Sequence, residues 1–280
     1  GVGLALSNWI VDGEPGLDIW GMDVARFGEW ATLSFTNEKV SENYSRRFRI
    51  RFPNEELPAA RPFRTTPLYD RHLGLSAQMG AAFGLEVPLW YAPEGVSDEF
   101  SWRRSTDFTH VGAETKNVRE NVGLLDISGF AKFFITGTGA EAWLDKMLAC
   151  KMPNPGRMTL APMLKDDGKL IGDFSLANLG DRYFLAGSGI AEEYYMRWFT
   201  DHLPNDGSVA IDPVGLGWCG LSIAGPKARD LLEKVTWKSV AHKDFKFMAI
   251  KEMEVGHAPC LVGRVTYTGD LGYEIWMKTE

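Results

Sequence analysis

Apolar residues recur along this chain with two periods, and the switches between them mark out its elements. Residues 4–11 read as a short helix, ended by Asp12-Gly13-Glu14-Pro15-Gly16, where Gly and Pro force a loop. A second short segment ends near Arg26-Phe27. Residues 43–52 then alternate strictly, with Phe48, Ile50 and Phe52 on one side and Arg47, Arg49 and Arg51 on the other. That pattern predicts a half-buried strand whose cationic face meets solvent or an interface. From 53 to 107 the chain is rich in Pro, Gly and aromatics without a long period, which predicts a linker wrapped over other structure. Beyond residue 109 the texture becomes regular: a helix over 114–122, a strand over 132–136, a helix over 140–149 and a strand pair over 157–179. Strands and helices keep alternating through YFLAGSG, EEYYMRWFTDHL, CGLSIAG, PKARDLLEKV and GRVTYTGDLGYEIWM. Hairpins set among helices predict an α+β fold with mixed or antiparallel sheets rather than a doubly wound parallel sheet.

The 280 residues, 45% hydrophobic and 24% charged, suffice for one large core or two smaller ones. A net charge of −7 leaves no overall basic footprint, which argues against a nucleic-acid partner while leaving room for a local anion pocket. No apolar run is long enough to span a bilayer, and no secretory signal is visible after Gly1, so no membrane partner is expected. Cys150, Cys219 and Cys260 are odd in number and far apart, as buried free thiols in a reducing compartment would be. The five histidines are dispersed, which predicts no metal site.

Three motifs carry possible chemistry. Gly137-Thr138-Gly139 follows a predicted strand and opens a helix, as a dinucleotide fingerprint does. The chain then runs through Lys151-Met152-Pro153-Asn154-Pro155-Gly156 into a hairpin, so a plain strand-to-helix turn is expected instead. Asp167-Gly168 signals that hairpin, and Asp173 falls in its returning strand. There Ile171, Asp173 and Ser175 share one face, Leu170, Gly172, Phe174 and Leu176 the other, which sets a carboxylate amid residues that favour burial. Spacing alone leaves two roles open, a structural Asp paired with an Arg or backbone donor, or a functional one. Gly172 beside it marks a close approach of a ligand or another backbone. In 263–277, two alternating strands joined by a Gly-containing turn, Glu274 and Trp276 point away from Tyr273, Ile275 and Met277. A carboxylate so placed suits a ring edge with two N–H donors; a solvent-facing Glu is the alternative.

Taken in order, VRENVGLLDISGFAKFFITGTGAEAWLDKML, GRMTLAPMLKDDGKLIGDFSLANL, LSIAGPKARDLL and GRVTYTGDLGYEIWM resemble the aminomethyltransferase domain of the glycine-cleavage T-protein family. Upstream, WIVDGEPGLDIWGMDVARF, YSRRFRIRFP and AARPFRTTPLYDRHLGLSAQMGAAFGLEVPLWYAPEG resemble the junction in the dimethylglycine and sarcosine dehydrogenase family, where a flavin domain passes into its folate domain. The resemblance implies that residues 1–65 are the tail of an FAD-dependent oxidoreductase domain with the junction, and that 66–280 are a folate-binding domain cut before its C-terminal barrel. It implies a part of a flavin-dependent N-demethylating dehydrogenase or oxidase that captures a one-carbon unit as methylene-tetrahydrofolate. Asp173 matches the family's catalytic carboxylate, Tyr267 the tyrosine beside the folate, and Glu274 the carboxylate that grips the pterin edge. The family's acidic pair is here Gly172-Asp173, a departure at its first position. Tetrahydrofolate is the implied cofactor, with FAD only in the full-length protein, and an N-methylated amino acid is the implied substrate; the electron acceptor stays open. The cytoplasm is the implied location, or the mitochondrial matrix in a eukaryote. Two other readings remain: a folate-dependent methyltransferase such as dimethylsulfoniopropionate demethylase, and a folate-binding scaffold without catalysis.

Overall fold

The computed structural model describes residues 1–280, apart from the side chain of Ala25. Its first third is helices, turns and one hairpin. Helix α1 (Val2–Asp12) ends at Gly13 in the left-handed conformation, and α2 (Leu33–Ser45) opens on Thr32, whose hydroxyl accepts from the Phe35 N–H at 3.4 Å. A short α3 (Tyr69–Gly74) leads into the hairpin of β1 (Ala77–Ala82) and β2 (Leu85–Tyr91). The rest alternates as the pattern of residues predicts: α4 (Asp107–Glu120), β3 (Gly123–Asp126), β4 (Ala131–Thr136), α5 (Ala140–Met147), then the hairpin β5 (Arg157–Leu164) and β6 (Leu170–Asn178). There follow β7 (Tyr183–Gly187), α6 (Glu192–Asp201), β8 (Ala210–Pro213), β9 (Trp218–Ala224), α7 (Ala228–Glu233), β10 (Ile250–Val255), β11 (Ala258–Gly263) and β12 (Gly272–Lys278).

Two five-stranded sheets, ordered β5-β6-β7-β4-β8 and β10-β11-β12-β9-β3, form the body, and every neighbouring pair is antiparallel. Alternation along the strands gives each sheet two apolar faces, so each must be covered twice. Outside the first sheet, Phe133, Phe174 and Leu185 meet Trp143 and Leu144 of α5 and Phe199 of α6. Outside the second, Tyr273 and Ile275 meet Leu232 of α7. Between the sheets, Phe134, Met158, Ala177 and Phe184 from one face Ile250, Leu261 and Trp276 from the other. The result is a helix–sheet–sheet–helix stack.

Three expectations are corrected. Residues 43–52 form no strand: α2 takes the first of them, and Glu55 organises the rest, pairing with Arg46, accepting from the Phe52 N–H at 3.1 Å and offering its carbonyl to Arg51. With no neighbouring strand to pair with, the alternation buries little: Phe48 is 95% exposed, Ile50 is exposed too, and Phe52 alone of the three packs, on Phe100 and Trp102. The stretch 53–107 is not a plain linker, since it holds α3 and the β1–β2 hairpin. Phe83 and Gly84 turn that hairpin with φ of 50° and 76°, and a phenylalanine is an unusual occupant of the left-handed region, so the turn gives little sequence signal. Within 263–277 the first strand ends at Gly263, and Tyr267 lies in a loop of residues 264–271 rather than in a strand. Gly137 and Gly139 do make a tight turn from β4 into α5: a Cβ at Gly137 would strike the Ser208 carbonyl.

Candidate functional site

On β5 and β6, Met158, Leu160 and Pro162 lie across from Ala177, Ser175 and Asp173, on the face turned towards the second sheet. Met158 and Ala177 are covered by that sheet, whereas Leu160 is 66% exposed and Asp173 is exposed as well. The sheets therefore part towards the hairpin tip, and Asp173 stands on the uncovered floor, four residues or about 13 Å along β6 from Ala177. This corrects the expectation of a carboxylate amid buried residues. Among the described residues no donor bonds the Asp173 carboxylate and no cation pairs with it, so the structural role left open by its spacing has no partner to support it. Gly172, on the opposite face, is required by a side chain rather than by a ligand or backbone: a Cβ there would lie 2.5 Å from the Tyr195 ring. Burial, reinforced by the nearby Asp173 charge, pushes the Tyr195 hydroxyl up to about 12.

Glu274 lies on the facing sheet. It alternates with Trp276 on the inter-sheet side of β12, while Tyr273 and Ile275 turn to the outer core, as the sequence predicts. Its cross-strand neighbours are small, Gly263 and Ser222, and a Cβ at Gly263 would lie 2.6 Å from the Met158 sulfur. The carboxylate is thus lodged at the place where the sheets begin to separate, with the residue 7% exposed. Burial pushes its pKa up to about 7, and the indole N–H of Trp276 holds that rise back. No hydrogen bond joins the two among the described residues, and Trp276 Nε1 is a buried donor without an acceptor. A buried carboxylate short of donors beside a donor short of an acceptor is costly for folding alone and ready for a ligand that offers both. Those residues fit a planar heterocycle carrying adjacent N–H groups and a ring acceptor.

Tyr267 is 96% exposed at the tip of the 264–271 loop, whose base is held by Thr266 Oγ1 donating to the Asp270 carbonyl at 2.7 Å. The structure thus places Asp173 and Glu274 on facing inner surfaces and leaves Tyr267 in solvent, touching neither. Trp276 was visible in the sequence only as an apolar alternate of Glu274; its unmet donor needed the fold. Lys132 had no sequence signal at all. Fully buried, it donates to the Ser128 and Phe130 carbonyls at 2.8 and 2.7 Å and lies 5.8 Å from the Trp276 ring centre, and burial lowers its pKa to about 8. No three His, Cys, Asp or Glu side chains converge for a metal among the described residues. The Cys150, Cys219 and Cys260 thiols are all free and pushed up by burial, as unreactive thiols are.

Residues 68–280 match the model of the GCVT N-terminal domain. The chain belongs to that family. Residues 12–66 match the FAD dependent oxidoreductase central domain, so the GCVT domain is preceded by a segment of a second family. Along its whole length the chain is 33% identical to human "Dimethylglycine dehydrogenase, mitochondrial" and 28% identical to mouse "Pyruvate dehydrogenase phosphatase regulatory subunit, mitochondrial". It spans about one third of the length of either. The fold is that of the glycine cleavage system aminomethyltransferase T from Bartonella henselae, matched with a TM-score of 0.64 over 77% of this chain and 54% of that one, at 21% identity. In this GCVT domain all sheet pairings are antiparallel, so the described residues of the domain form no parallel strand–helix–strand unit of the kind that seats a dinucleotide. No helix among the described residues is long and apolar enough to cross a membrane.

Proposed function

We propose that this chain is the folate-binding portion of a flavin-dependent N-demethylating dehydrogenase or oxidase of the dimethylglycine or sarcosine type, and that it takes up the one-carbon unit as methylene-tetrahydrofolate. The observation that carries the reading is Glu274, a buried carboxylate without a hydrogen bond among the described residues at the parting of the sheets. When bound, tetrahydrofolate would supply the nitrogens that accept the one-carbon unit. Glu274 would accept two pterin-edge N–H donors and Trp276 Nε1 would donate to a ring acceptor, which fixes the ring and gives both side chains partners. Asp173, unpaired and open to the mouth, would hold a proton released as the one-carbon unit is captured and stabilise positive charge there. Tyr267, on its exposed loop, would lie beside the ring. FAD is assigned to the part of the longer relatives that this chain does not span. An N-methylated amino acid is the proposed substrate of the whole protein, and the mitochondrial names of the relatives favour the matrix as its location.

The test is paired. In the complete protein, given dimethylglycine and tetrahydrofolate, Asp173→Ala should keep amine oxidation while slowing formation of methylene-tetrahydrofolate by about a hundredfold, the usual worth of one proton-transfer group. Folate product formed at the wild-type rate would overturn the assignment of Asp173. Similarity to a relative named as a regulatory subunit favours one other reading, a folate-binding scaffold. Tight tetrahydrofolate binding with no turnover in any variant would favour it.

A further inference from the structure

A separate cleft of about 280 Å³ opens where the junction segment and the β1–β2 hairpin meet the β3–β4 loop and the start of α6. It lies at the small end of ligand sites and suits a molecule of few heavy atoms. Its walls are mostly apolar, with Phe83, Val87, Pro88, Phe130 and Leu216 among them, and three charged side chains reach it: Arg64, Asp126 and Glu192.

Only one of the three is satisfied. Asp126 accepts from Thr66 Oγ1 at 2.8 Å, the Ser128 N–H at 2.8 Å and His72 Nε2 at 3.0 Å. Burial works against its ionisation, yet those bonds win and hold its pKa below the usual carboxylate value. The Arg64 guanidinium stacks on Trp30, 5.0 Å from the ring centre, and makes no hydrogen bond or ion pair among the described residues. Glu192, its Oε1 turned towards Gly215, makes none either. Burial disfavours the charge on both, lowering Arg64 and raising Glu192. Lys132 and Arg64 steady the Glu192 charge while Glu193 opposes it. Arg64 is also fixed in place: its N–H donates to the Gly84 carbonyl at 3.0 Å and its own carbonyl accepts from the Glu86 N–H at 2.8 Å.

A desolvated cation and a desolvated anion that share one cleft without pairing are each left wanting a partner. We propose that the cleft binds a small zwitterion, with Arg64 taking its carboxylate by a two-pronged contact, Glu192 taking its ammonium or alkylammonium group, and the apolar walls covering its carbon substituents. An anion alone would leave Glu192 beside added negative charge, and a cation alone would do the same for Arg64. This inference stands on geometry apart from the folate site, to which neither residue belongs.

Calorimetric or ligand-detected NMR titration of the 280-residue chain with N,N-dimethylglycine tests it. Isobutyrate serves as the matching anion and trimethylammonium as the cation. Dimethylglycine should bind saturably, at least about tenfold more tightly than either single-charge probe, and Arg64→Met and Glu192→Gln should each weaken it about tenfold, the worth of one charge-assisted bond. Arg64→Lys and Glu192→Asp should retain part of the affinity, and unchanged melting temperatures would show that the variants are folded. Isobutyrate binding as tightly as dimethylglycine would reduce the cleft to an anion site and overturn the proposal, as would absence of saturable binding or equal binding by both charge-removing variants. Tetrahydrofolate affinity should not change in Arg64→Met, nor dimethylglycine affinity in Glu274→Gln, so failure of either reading is seen separately.

Discussion

Replacing Glu274 by Gln should make the protein more stable and less able to bind folate, with the first effect present only above acid pH. The folded carboxyl has a pKa of about 7, against 4.5 for an ordinary glutamate, because burial penalises its charge. Below pH 4.5 the group is protonated folded and unfolded, and the penalty is absent. Between 4.5 and 7 the unfolded chain ionises first, so stability falls as pH rises, and above 7 the full penalty applies. At 1.36 kcal/mol per pH unit it amounts to about 3 kcal/mol. Gln keeps the shape without the charge. Thermal unfolding should therefore show Glu274→Gln melting on the order of 6 °C above the parent at pH 8 and within a degree or so of it at pH 4.5. Tetrahydrofolate titrations at pH 8 should show the opposite ranking, since an amide accepts one N–H where a carboxylate accepts two. Parent affinity should fall as pH drops through 7, because the ligand's donors favour the ionised form. A Gln variant that melts lower than the parent at pH 8, or shows the same difference at both pH values, would refute the claim that this carboxylate is an uncompensated charge.

Asp173→Ala should change stability by no more than about 0.5 kcal/mol in denaturant unfolding, because the side chain is exposed and unpartnered. Gly220→Ala should cost roughly 1–3 kcal/mol and weaken folate binding together, since a Cβ there would strike the Trp276 ring and push the indole from Glu274; calorimetry and ligand titration read the two effects. Asp126→Ala should cost about 3 kcal/mol at pH 7 by stranding His72, Thr66 and Ser128. Because the folded pKa of Asp126 is lowered, its contribution is present above 3.8 and lost as pH falls below it, so variant and parent unfolding curves should converge in acid.

What the residues alone revealed was whatever depends on period and local turn chemistry. The Asp167-Gly168 hairpin, the glycine turn before α5 and the shared face of Glu274 and Trp276, opposite Tyr273 and Ile275, all follow from neighbours within a few positions. What they concealed depends on which sheet covers which. Asp173 looked buried because Phe174 and Leu176 beside it are; it is exposed because the covering sheet stops short of the hairpin tip. The arginine-rich alternation at 43–52 lacked what makes a strand, an edge to pair with, and Glu55 drew its cations into a loop instead. Arg64 and Glu192 are 128 residues apart in sequence, so no local pattern could have joined them.

The costs in this fold are not spread evenly. Trp276 is approached by two charges that burial disfavours, Lys132 beside its ring and Glu274 near its N–H, and its own donor is unmet. Gly220 supplies the space its ring needs, and Gly263, across from Glu274, leaves room for the Met158 sulfur. Apolar residues of similar volume at 132 and 274 would serve the inter-sheet core better, since unpaired buried charges are what such cores exclude. Lys132 returns part of its cost by tying down the Ser128 and Phe130 carbonyls, whereas Glu274 has only the nearby Trp276 indole to offset its own. A local violation with little folding benefit, placed where two sheets open, is what the proposed folate site is built on. The proposed binding role of Glu274 rests on this asymmetry with Lys132 rather than on burial as such.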